Sequence, residues 1–568
     1  MADPSEAVSA SVAPRAPLER ARSGSVWPAR VTRALAVFGL VVAIAGVALA
    51  AWTPRGLTKN PVWIELLGFT WLFQTEPGVS YRPEMRAGLA QVGLAGLLLF
   101  AAASSIAAWR RARPDPTPGS SSASGWLESP AFVALLFYVA LWIHVVWPLK
   151  LAIGASPLLI EQHVDSHSYV HQAAAWLRGE QHVTRVLHDR LVVGGKNYIV
   201  FPPFPALVLL PFVALFGLAT KTLLLTPLLG ASTAYASMRT LTRCAVPPAA
   251  AVWCTAGLIF GSPLLLLSGR DIDAYFAHCC ALACVMAALC ELTGRSRPWL
   301  IGLLLGGAAL SRQLSLLLVP FFLVAAAAPD RLLPRPPSHT PRNVRARPSP
   351  PSAWAASARS VILRSSGLLL SLAVCLGAYA LLNWIRSGNP LDTGYSSLVE
   401  HGWYKYRAST YGDFSWVYLP SNVLRLFVLG IGLQFERGSY MLPQFTGFGS
   451  SLTFTSPFLY FALRDLFSRS APWPSRSLRA LAWLCIAAVT AGVLLHKSAL
   501  GGYQIHGQRY TLDFTPLLFL LAAIEIGRVW TQPLGLLARW LIGYSIVASV
   551  LMVNIMPGVI AQSHSWPR

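Results

Sequence analysis

The chain has few charged residues for its length. Only 12% of its 568 residues are Asp, Glu, Lys or Arg, whereas 54% are hydrophobic. Soluble globular proteins carry about 25% charged residues, so this composition excludes an ordinary soluble domain. Apolar runs of about 18 or more residues recur along the sequence, which is the length that crosses a bilayer as a helix. The sequence therefore predicts an all-α polytopic membrane protein.

Several motifs of soluble enzymes are also missing. The sequence contains no glycine-rich nucleotide loop, no Gly-x-Ser-x-Gly elbow and no His-Glu-x-x-His motif. A soluble nucleotide-sugar enzyme and a zinc protease of these classes are therefore not predicted. The eight cysteines all lie in or beside apolar runs. We expect them to pack in the core rather than to form structural disulfides or a metal site.

The formal net charge of +22 does not predict nucleic-acid binding. The basic residues are spread through the loops between apolar runs, which is typical of membrane topology and contact with anionic lipids. The arginine-rich loops place the N-terminus in the cytoplasm and the C-terminus outside, with about 13 crossings of the cell membrane. The predicted spans are 34–52, 87–108, 130–150, 221–239, 247–268, 275–291, 299–311, 313–328, 365–385, 451–465, 479–496, 512–528 and 535–556.

Composition divides the chain into five parts. Residues 1–33 and 329–364 are rich in Pro, Ser and Arg, which predicts disordered cytoplasmic segments. Residues 34–110 form a two-helix N-terminal appendage. Residues 130–328 form the catalytic half of the transmembrane core, and 365–568 form its second half with outer loops.

One apolar run, 203–218, is predicted not to cross the membrane. If it crossed, Arg239 and Arg243 would fall on the outer side and the later loops would invert. The run is also rich in proline. We therefore expect a juxtamembrane helix that lies in the outer interface or enters the bilayer partway.

Asp165 is the acidic residue that we single out first. It follows an apolar stretch, and Tyr169, Ala173 and Trp176 recur after it on one helical stripe, with Gly179 placed to cap the end. The pattern predicts an amphipathic surface helix that begins at Asp165. Acidic groups at membrane depth are costly and mark functional sites, so Asp165 is our candidate catalytic base. The alternative is a structural N-cap carboxylate, and the two roles are compatible.

Two further outer positions carry charges close to the bilayer boundary. Asp271 and Asp273 lie beside Arg270 and are placed to orient a nucleophile or a metal; the alternative is a solvated turn. Arg312 interrupts an apolar stretch, so it either faces a polar cavity or marks the outer ends of two short helices. Such an arginine suits a phosphate, and the alternative is structural pairing with an acid.

The last outer loop opens directly into a helix. Arg509 and Lys497 are candidates for holding a phosphate, although Arg509 has Asp513 one turn on as an alternative partner. Further polar residues of this loop are candidates for hydrogen bonding to a sugar. These are Tyr503, Gln504, His506 and Gln508.

Histidines concentrate in the outer segments. His163, His167 and His171 have i, i+4, i+8 spacing. A His-x3-His pair of this kind can bind zinc, but the sequence does not specify a third ligand. Solvated interfacial histidines are the alternative. We therefore predict no required cofactor and no metal ligands, and leave a divalent metal open.

The order of these motifs resembles that of the GT-C superfamily of polyprenyl-phosphate-sugar glycosyltransferases. The similarity is carried by Asp165, then Pro202-Pro-Phe-Pro-Ala206, then the interface run ending Phe216-Gly217. Two later motifs also carry the similarity, Gly388-Asn-Pro-Leu-Asp-Thr-Gly-Tyr395 and Gln508-Arg-Tyr-Thr-Leu-Asp513. The protein O-mannosyltransferase and lipid A aminoarabinose transferase groups, and bacterial relatives of uncharacterised substrate, are the nearest in appearance. The resemblance covers roughly residues 130–530.

The resemblance implies roles for individual residues. It makes Asp165 the acid that activates the acceptor, and Asp271 or Asp273 the second acid that follows two membrane helices later. It matches Arg312 to a basic residue at the end of a Gly-x-x-x-x-(Thr/Ser)-(Lys/Arg) stretch.

The chain also departs from the aminoarabinose transferases. They have an acidic-Lys-Pro run where this chain has Phe201-Pro202-Pro203. Lys196 is then the candidate replacement toward the donor phosphate. His188 and Asp189 are the candidates toward the sugar or acceptor.

The implied function is transfer of a sugar from a polyprenyl-phosphate donor to an acceptor hydroxyl on the outer face of the membrane. Cations stabilise the leaving phosphate while Asp165 deprotonates the acceptor, and the anomeric carbon inverts. A phosphate leaving group needs no general acid, so one base suffices. The acceptor is a lipid, a glycan or a protein. Two other functions remain open, a non-catalytic lipid-linked glycan transporter or flippase and an envelope-assembly scaffold.

Overall fold

The structure is mostly helical. It is a computed structural model that describes the following parts of the chain. They are 27–52, 62–66, 69–73, 129–146, 167–185, 187, 190–269, 272–327, 351–395, 402–428, 433–434, 444–445, 451–467, 475–497 and 509–555, with isolated helical residues between 93 and 104.

Helices in the first half of the chain follow the apolar runs. They are α1 (Trp27–Trp52), α2 (Pro130–Val146), α3 (Ser168–Leu177), α4 (Phe204–Phe216), α5 (Thr226–Arg243), α6 (Pro248–Phe260), α7 (Leu264–Ser268), α8 (Asp273–Leu292), α9 (Pro298–Ala309) and α10 (Val319–Ala327). Short 3₁₀ turns lie at Gly217–Ala219, Thr222–Leu224 and Gln313–Leu318. Proline occupies the first turn of several of these helices, where its missing N–H costs nothing.

The second half has longer helices separated by irregular segments. They are α11 (Pro351–Ser387), α12 (Gly402–Tyr411), α13 (Leu419–Val423), α14 (Leu452–Thr455), α15 (Leu463–Phe467), α16 (Arg476–Leu495), α17 (Thr515–Val529) and α18 (Pro533–Ile555). A π-helical turn at Leu424–Val428 follows α13, and 3₁₀ turns lie at Trp416–Tyr418, Pro457–Ala462 and Arg509–Asp513.

Strands occur only as antiparallel two-stranded hairpins in the described residues. They are β1 (Val62–Leu66) with β2 (Phe69–Phe73), β3 (Arg190–Val193) with β4 (Lys196–Ile199), and β5 (Leu433–Gln434) with β6 (Gln444–Phe445). Gly194 and Gly195 link β3 to β4, and both have positive φ, 56° and 75°. Two such residues are the requirement of a type I′ hairpin turn, which explains the Gly-Gly pair.

Four helices of the described chain are long and apolar enough to cross a membrane. They are Asp273–Leu292, Ser365–Ser387 within α11, Arg476–Leu495 and Pro533–Val550 within α18. This is compatible with a membrane protein, but thirteen crossings are not confirmed. Several predicted spans correspond to helices of 10–17 residues, among them Pro130–His144, Pro248–Phe260 and Pro298–Ala309.

Two predicted spans are broken rather than continuous. The run 247–268 forms α6 and α7, with a break at Gly261-Ser262-Pro263 because proline ends the α6 hydrogen-bond ladder. The freed carbonyl oxygen of Gly261 accepts a hydrogen bond from the Ser456 hydroxyl at 2.7 Å. The run 451–465 forms α14, a 3₁₀ turn and α15, with Pro457 at the start of that turn.

Two segments predicted to be disordered are helical at their ends. Helix α11 begins at Pro351, so the prediction of a disordered segment over 329–364 is wrong for its last part. Helix α1 likewise begins at Trp27, inside the segment 1–33. In both cases an apolar helix extends upstream into polar sequence that has no helix-breaking residue after the proline at its start.

The predicted appendage packs on the rest of the protein. A Cβ on Gly96 would lie 2.6 Å from the backbone nitrogen of Ala43, so the second predicted helix approaches α1 at backbone contact. Phe38 of α1 then meets Trp142 of α2 edge to face, with ring centroids 6.5 Å apart. The two-helix unit is thus continuous with the core through α2.

The main hydrophobic core joins both halves of the chain. It contains fully buried side chains of α6, α8, α9, α10, α16, α17 and α18, such as Leu258, Leu289, Phe322, Val489 and Phe519. Close-packed interiors of this kind are sensitive to small changes in side-chain volume.

Helices α9 and α11 approach each other through small residues. A Cβ on Gly302 would overlap the carbonyl oxygen of Leu368 and the hydroxyl of Ser371, and one on Gly306 would meet Cys375. Gly302 and Gly306 are four residues apart and form a small-xxx-small face, which lets helix backbones approach closely in a membrane. This contact holds α11 against the first half of the core.

We expect Gly302→Ala to weaken the protein. The added methyl group meets backbone atoms of α11, so the helices must separate and the free energy of unfolding should fall by about 1–3 kcal/mol. Thermal unfolding of purified protein in detergent micelles measures the change. The matched control is Gly377→Ala on α11, where no atom lies within 4 Å of the added Cβ. A Gly302→Ala midpoint equal to that of the control would contradict the contact.

Candidate functional site

Polar and charged side chains converge at one end of the helix bundle. Helix α8 begins there, α16 ends there, and the 3₁₀ turn Arg509–Asp513 packs between the two. The turn after α9 brings Arg312 to the same place. We refer to this region as the Arg312 end of the bundle.

Arg312 lies between two helical segments, which is one of the two arrangements predicted from the sequence. Helix α9 stops at Ala309, Arg312 is extended, and a 3₁₀ turn starts at Gln313. Its guanidinium donates from Nε to Asp513 Oδ1 at 3.3 Å and from Nη2 to Asp513 Oδ2 at 2.9 Å. The alternative prediction, structural pairing with an acid, is therefore also met. The partner lies 201 residues away in the sequence.

His278 completes this pair from α8. Its Nδ1 lies 3.3 Å from Asp513 Oδ1, at ion-pair distance but without the alignment of a good hydrogen bond. The side chains of His278 and Asp513 are 0% and 1% exposed, whereas that of Arg312 is 21% exposed. The arginine is thus the accessible member of the group.

Tyr510 is the aromatic centre around which the cations are arranged. The guanidinium carbons of Arg312 and Arg509 lie 5.0 and 5.1 Å from its ring centroid, within cation–π range. The rings of His278 and His496 lie 5.8 and 6.2 Å from it. Burial alone would raise the pKa of the Tyr510 phenol, but Arg509 and Arg312 outweigh burial and hold that pKa below its ordinary value.

Arg509 does not pair with Asp513, although the sequence spacing suggested it. The two residues are four apart, which gives a shared face in an α-helix, but here they lie in a 3₁₀ turn. Three residues per turn separate positions i and i+4 by about 120° around the axis. Arg509 instead lies over the Tyr275 ring at 5.5 Å, and its buried Nε has no hydrogen-bond partner in the described chain.

Lys497 lies at the same end but is neutralised by a carboxylate. Its Nζ is 2.6 Å from Asp413 Oδ1, and its own carbonyl oxygen accepts from Arg407 at 2.8 Å. The buried Asn422 side chain donates to the carbonyl oxygens of Leu494 and His496, which end α16. These contacts fix the chain just after α16, and Lys497 is paired with Asp413 rather than being a free cation.

The segment that follows Asp165 differs from its prediction. Helix α3 begins at Ser168 with His167 as its N-cap, three residues after the predicted start. The helix is also buried from Ser168 to Ala175 rather than lying on a surface, because it packs against α4 and the start of α8. Gly179 does end it, with a φ of 77°. His167 meets Phe276 of α8 with ring centroids 6.2 Å apart.

Of the two acids predicted together, Asp273 is described, and it begins α8. Its Oδ1 accepts a hydrogen bond from the backbone nitrogen of Ala274 at 2.8 Å, and the side chain is half-buried. It forms no ion pair with the Arg312 group in the described chain. This local role matches the solvated-turn alternative.

Several predicted site residues lie outside the described residues. They are Asp165, Asp271, His188, Asp189, Tyr503, Gln504, His506 and Gln508, together with His163 of the histidine triplet. Lys196 is described; it is exposed next to the Gly194-Gly195 turn. The described residues contain no group of three or more His, Cys, Asp or Glu side chains placed to hold a metal ion.

Sequence reasoning missed a second set of buried charges at the opposite end of the bundle. Near the start of α16, Arg479 Nη1 donates to Asp465 Oδ1 at 2.9 Å. Glu525 of α17 pairs with Arg528 and lies 3.7 Å from Arg464. The pairing at this end is invisible in the sequence because α15, α16 and α17 meet only in the tertiary structure.

Asp513→Asn should destabilise the protein more than Asp413→Asn. Breaking a buried ion pair leaves an uncompensated charge and costs about 3–5 kcal/mol, whereas a pair with an exposed partner contributes about 0–1 kcal/mol. Asp513 is 1% exposed and Asp413 is 37% exposed. Denaturant or thermal unfolding in detergent compares the two variants. Equal losses would show that Arg312 does not depend on Asp513.

The Arg312 end offers chemistry suited to an oxyanion. Arg312 is paired with Asp513, whereas Arg509 packs on two tyrosine rings and has no carboxylate partner among the described residues. The ion pair uses Nε and Nη2 of Arg312, which leaves Nη1 outside the pair. Guanidinium groups suit phosphate and carboxylate geometry. No protein-family model, curated protein or solved structure matches the chain.

Proposed function

We propose that the chain is an integral membrane glycosyltransferase that moves a sugar from a polyprenyl-phosphate donor to an acceptor hydroxyl on the outer face of the membrane. The observation that carries the proposal is the pair of arginines at the Arg312 end: Arg312 is paired with Asp513, whereas Arg509 packs on Tyr275 and Tyr510 with no carboxylate partner among the described residues. These residues lie where the apolar segment Asp273–Leu292 begins and Arg476–Leu495 ends, so the cluster is at the end of membrane-length helices.

The donor phosphate would bind between the two arginines. Both guanidinium groups flank Tyr510, and the Arg509 Nε is buried without a hydrogen-bond partner in the described chain. A preorganised cation at low dielectric stabilises negative charge more strongly than one in water. As the bond between the anomeric carbon and the phosphate oxygen breaks, the charge gained by the phosphate is balanced by Arg312 and Arg509.

Asp513 and His278 would position Arg312 rather than react. Asp513 holds the guanidinium in a two-point hydrogen bond, and His278 lies against the same carboxylate. This fixes the direction in which Nη1 points before the substrate arrives. Such preorganisation lowers the reorganisation needed during reaction.

The base of the proposed reaction is Asp165. It precedes His167 by two residues, and His167 contacts the first turn of α8, the helix that also carries Tyr275 and His278. The carboxylate would take the proton of the acceptor hydroxyl as the oxygen attacks the anomeric carbon from the side opposite the phosphate. The configuration inverts, and no general acid is needed because phosphate is a stable leaving group.

The distribution of buried charge favours an enzyme over a transporter. Ion pairs lie at both ends of the bundle, but the described side chains between them on α16 and α17 are apolar. They include Ala482, Ile486 and Val489 on α16 and Leu517, Phe519 and Ile524 on α17. A transport path through these helices would need polar groups along its length.

Deletion of the gene should remove one glycosylated product from the cell envelope and cause a polyprenyl-phosphate sugar to accumulate. Comparative mass spectrometry of lipids and glycans measures both at once, and the sugar need not be identified beforehand. Plasmid-borne Arg312→Gln, Arg509→Gln and Asp165→Asn should each fail to restore the product, because each removes phosphate stabilisation or the base.

Arg297→Gln is the control for these variants. Arg297 pairs with Glu291 on the protein surface at the opposite end of α8, so its loss should leave the product unchanged. Full restoration by Asp165→Asn would refute its assignment as the base. A deletion that changes no glycan and accumulates no lipid-linked sugar would refute the transferase function as a whole.

A further inference from the structure

The buried face of α11 changes from apolar to polar toward its C-terminal end. Leu368 and Leu372 are buried at the start of this stripe, and Tyr379, Asn383 and Arg386 are buried at its end. The positions follow a spacing of three and four residues, so they lie on one side of the helix. The opposite stripe stays apolar and exposed, as at Leu370, Val374, Leu381 and Ile385. The polar groups therefore point into the protein, away from the apolar surface.

Arg386 has no hydrogen-bond or ion-pair partner in the described chain. The residue is 4% exposed, and Nε, Nη1 and Nη2 are all buried without a hydrogen bond. Asn383 donates to the carbonyl oxygen of Pro390 at 3.3 Å, but its Oδ1 is likewise buried and unsatisfied. The unsatisfied donors of Arg386 and the unsatisfied acceptor of Asn383 thus lie about one turn apart on the same face of α11.

Three tyrosines lie within electrostatic range of this arginine, and none carries a counter-charge at neutral pH. Tyr379, Tyr395 and Tyr198 each interact electrostatically with its guanidinium. Tyr198 belongs to β4, and the β3–β4 hairpin packs on the segment after α11, where Gly394 lies against Leu191 and Val200. The hairpin and this segment therefore cover the end of α11 and enclose Arg386.

A buried cation without a counter-charge is costly, and arginines at membrane depth normally pair with acids or backbone carbonyls. The two other described arginines that are buried to the same degree have partners: Arg407 donates to the Lys497 carbonyl oxygen and Arg479 pairs with Asp465. The enclosure around Arg386 supplies donors and aromatic walls but no carboxylate among the described residues. We propose that Arg386, with the nearby tyrosines as further hydroxyl donors, is a second oxyanion site that binds a phosphate or carboxylate group.

The proposed second site is linked to the Arg312 group through a neighbouring residue. Gln313, the neighbour of Arg312, donates to the Tyr379 hydroxyl at 3.2 Å. Arg386 follows Tyr379 by two helical turns, about 10 Å along the α11 axis. Tyr395 interacts electrostatically with both Arg312 and Arg386.

The proposal does not depend on glycosyl transfer. An oxyanion at Arg386 belongs either to a lipid-linked ligand or to a free anion, and both present the same negatively charged oxygens. If the proposed transferase function holds, we expect the second oxyanion to belong to a group other than the phosphate held by Arg312 and Arg509, and additive losses in the double variant would support this.

Purified full-length protein in lipid nanodiscs tests the site by thermal unfolding with inorganic phosphate and, separately, with polyprenyl monophosphate. We expect both probes to raise the unfolding midpoint of the wild type, because a ligand that binds only the folded state stabilises it. Arg386→Gln and Arg509→Gln should each lose part of the rise. The double variant should lose the sum of the two, because separate sites act additively.

The unfolding midpoint without anion gives a second readout. Arg386→Gln should match or exceed the wild-type midpoint, since it removes an uncompensated buried charge. The matched variant Arg479→Gln should lower the midpoint, because it breaks a buried pair with Asp465.

Three results overturn the site. They are full protection of Arg386→Gln by both probes, a double variant no weaker in protection than Arg509→Gln alone, and an anion-free midpoint that falls as far as that of Arg479→Gln. Loss of protection with polyprenyl monophosphate alone supports the site and assigns the oxyanion to a lipid-linked ligand. Loss with both probes supports the site for oxyanions in general. No sugar donor is present, so failure of the transferase function leaves these outcomes unchanged.

Discussion

The buried ion pair between Arg312 and Asp513 is the contact on which the Arg312 end of the bundle depends. It joins the turn after α9 to the 3₁₀ turn before α17. Breaking a buried ion pair is strongly destabilising, so this contact helps to hold the two halves of the chain together. Once they meet, Tyr510 lies between the two arginines, and His278 of α8 closes on the carboxylate.

Charge is confined to the two ends of the bundle by the same physical rule. Between the Arg312 group and the Arg479–Asp465 pair, the described faces of α16 and α17 are apolar and closely packed. Paired charges at the Arg479 end satisfy each other, whereas the Arg312 end keeps more cations than carboxylates. The imbalance distinguishes the two ends: one is stabilised by its own side chains, and the other retains the capacity to bind an anion.

Arg386 on α11 is a further buried cation without a carboxylate partner among the described residues. The close contact of Gly302 and Gly306 with α11 holds that helix against α9. Tyr379 of α11 then lies at hydrogen-bond distance from Gln313. Arg386 lies within electrostatic range of Tyr198 in the β3–β4 hairpin. The second oxyanion site that we propose at Arg386 would give the protein a further contact for a negatively charged ligand. Retaining an unsatisfied buried arginine lowers the stability of the free protein, a cost typical of binding sites.

The sequence by itself determined the helical class, the positions of most apolar helices, the short length of the 204–216 helix and the place of Arg312 between two helical segments. These features follow from local composition, proline and hydrophobic runs. Only the tertiary structure decided which charges meet: Arg312 with Asp513 across 201 residues, Arg479 with Asp465, and Arg386 with no partner among the described residues. It also decided that the helix after Asp165 is buried and that Arg509 turns away from Asp513. Local spacing could not reveal these arrangements, because pairing and burial depend on how distant helices pack and on whether a turn is α or 3₁₀.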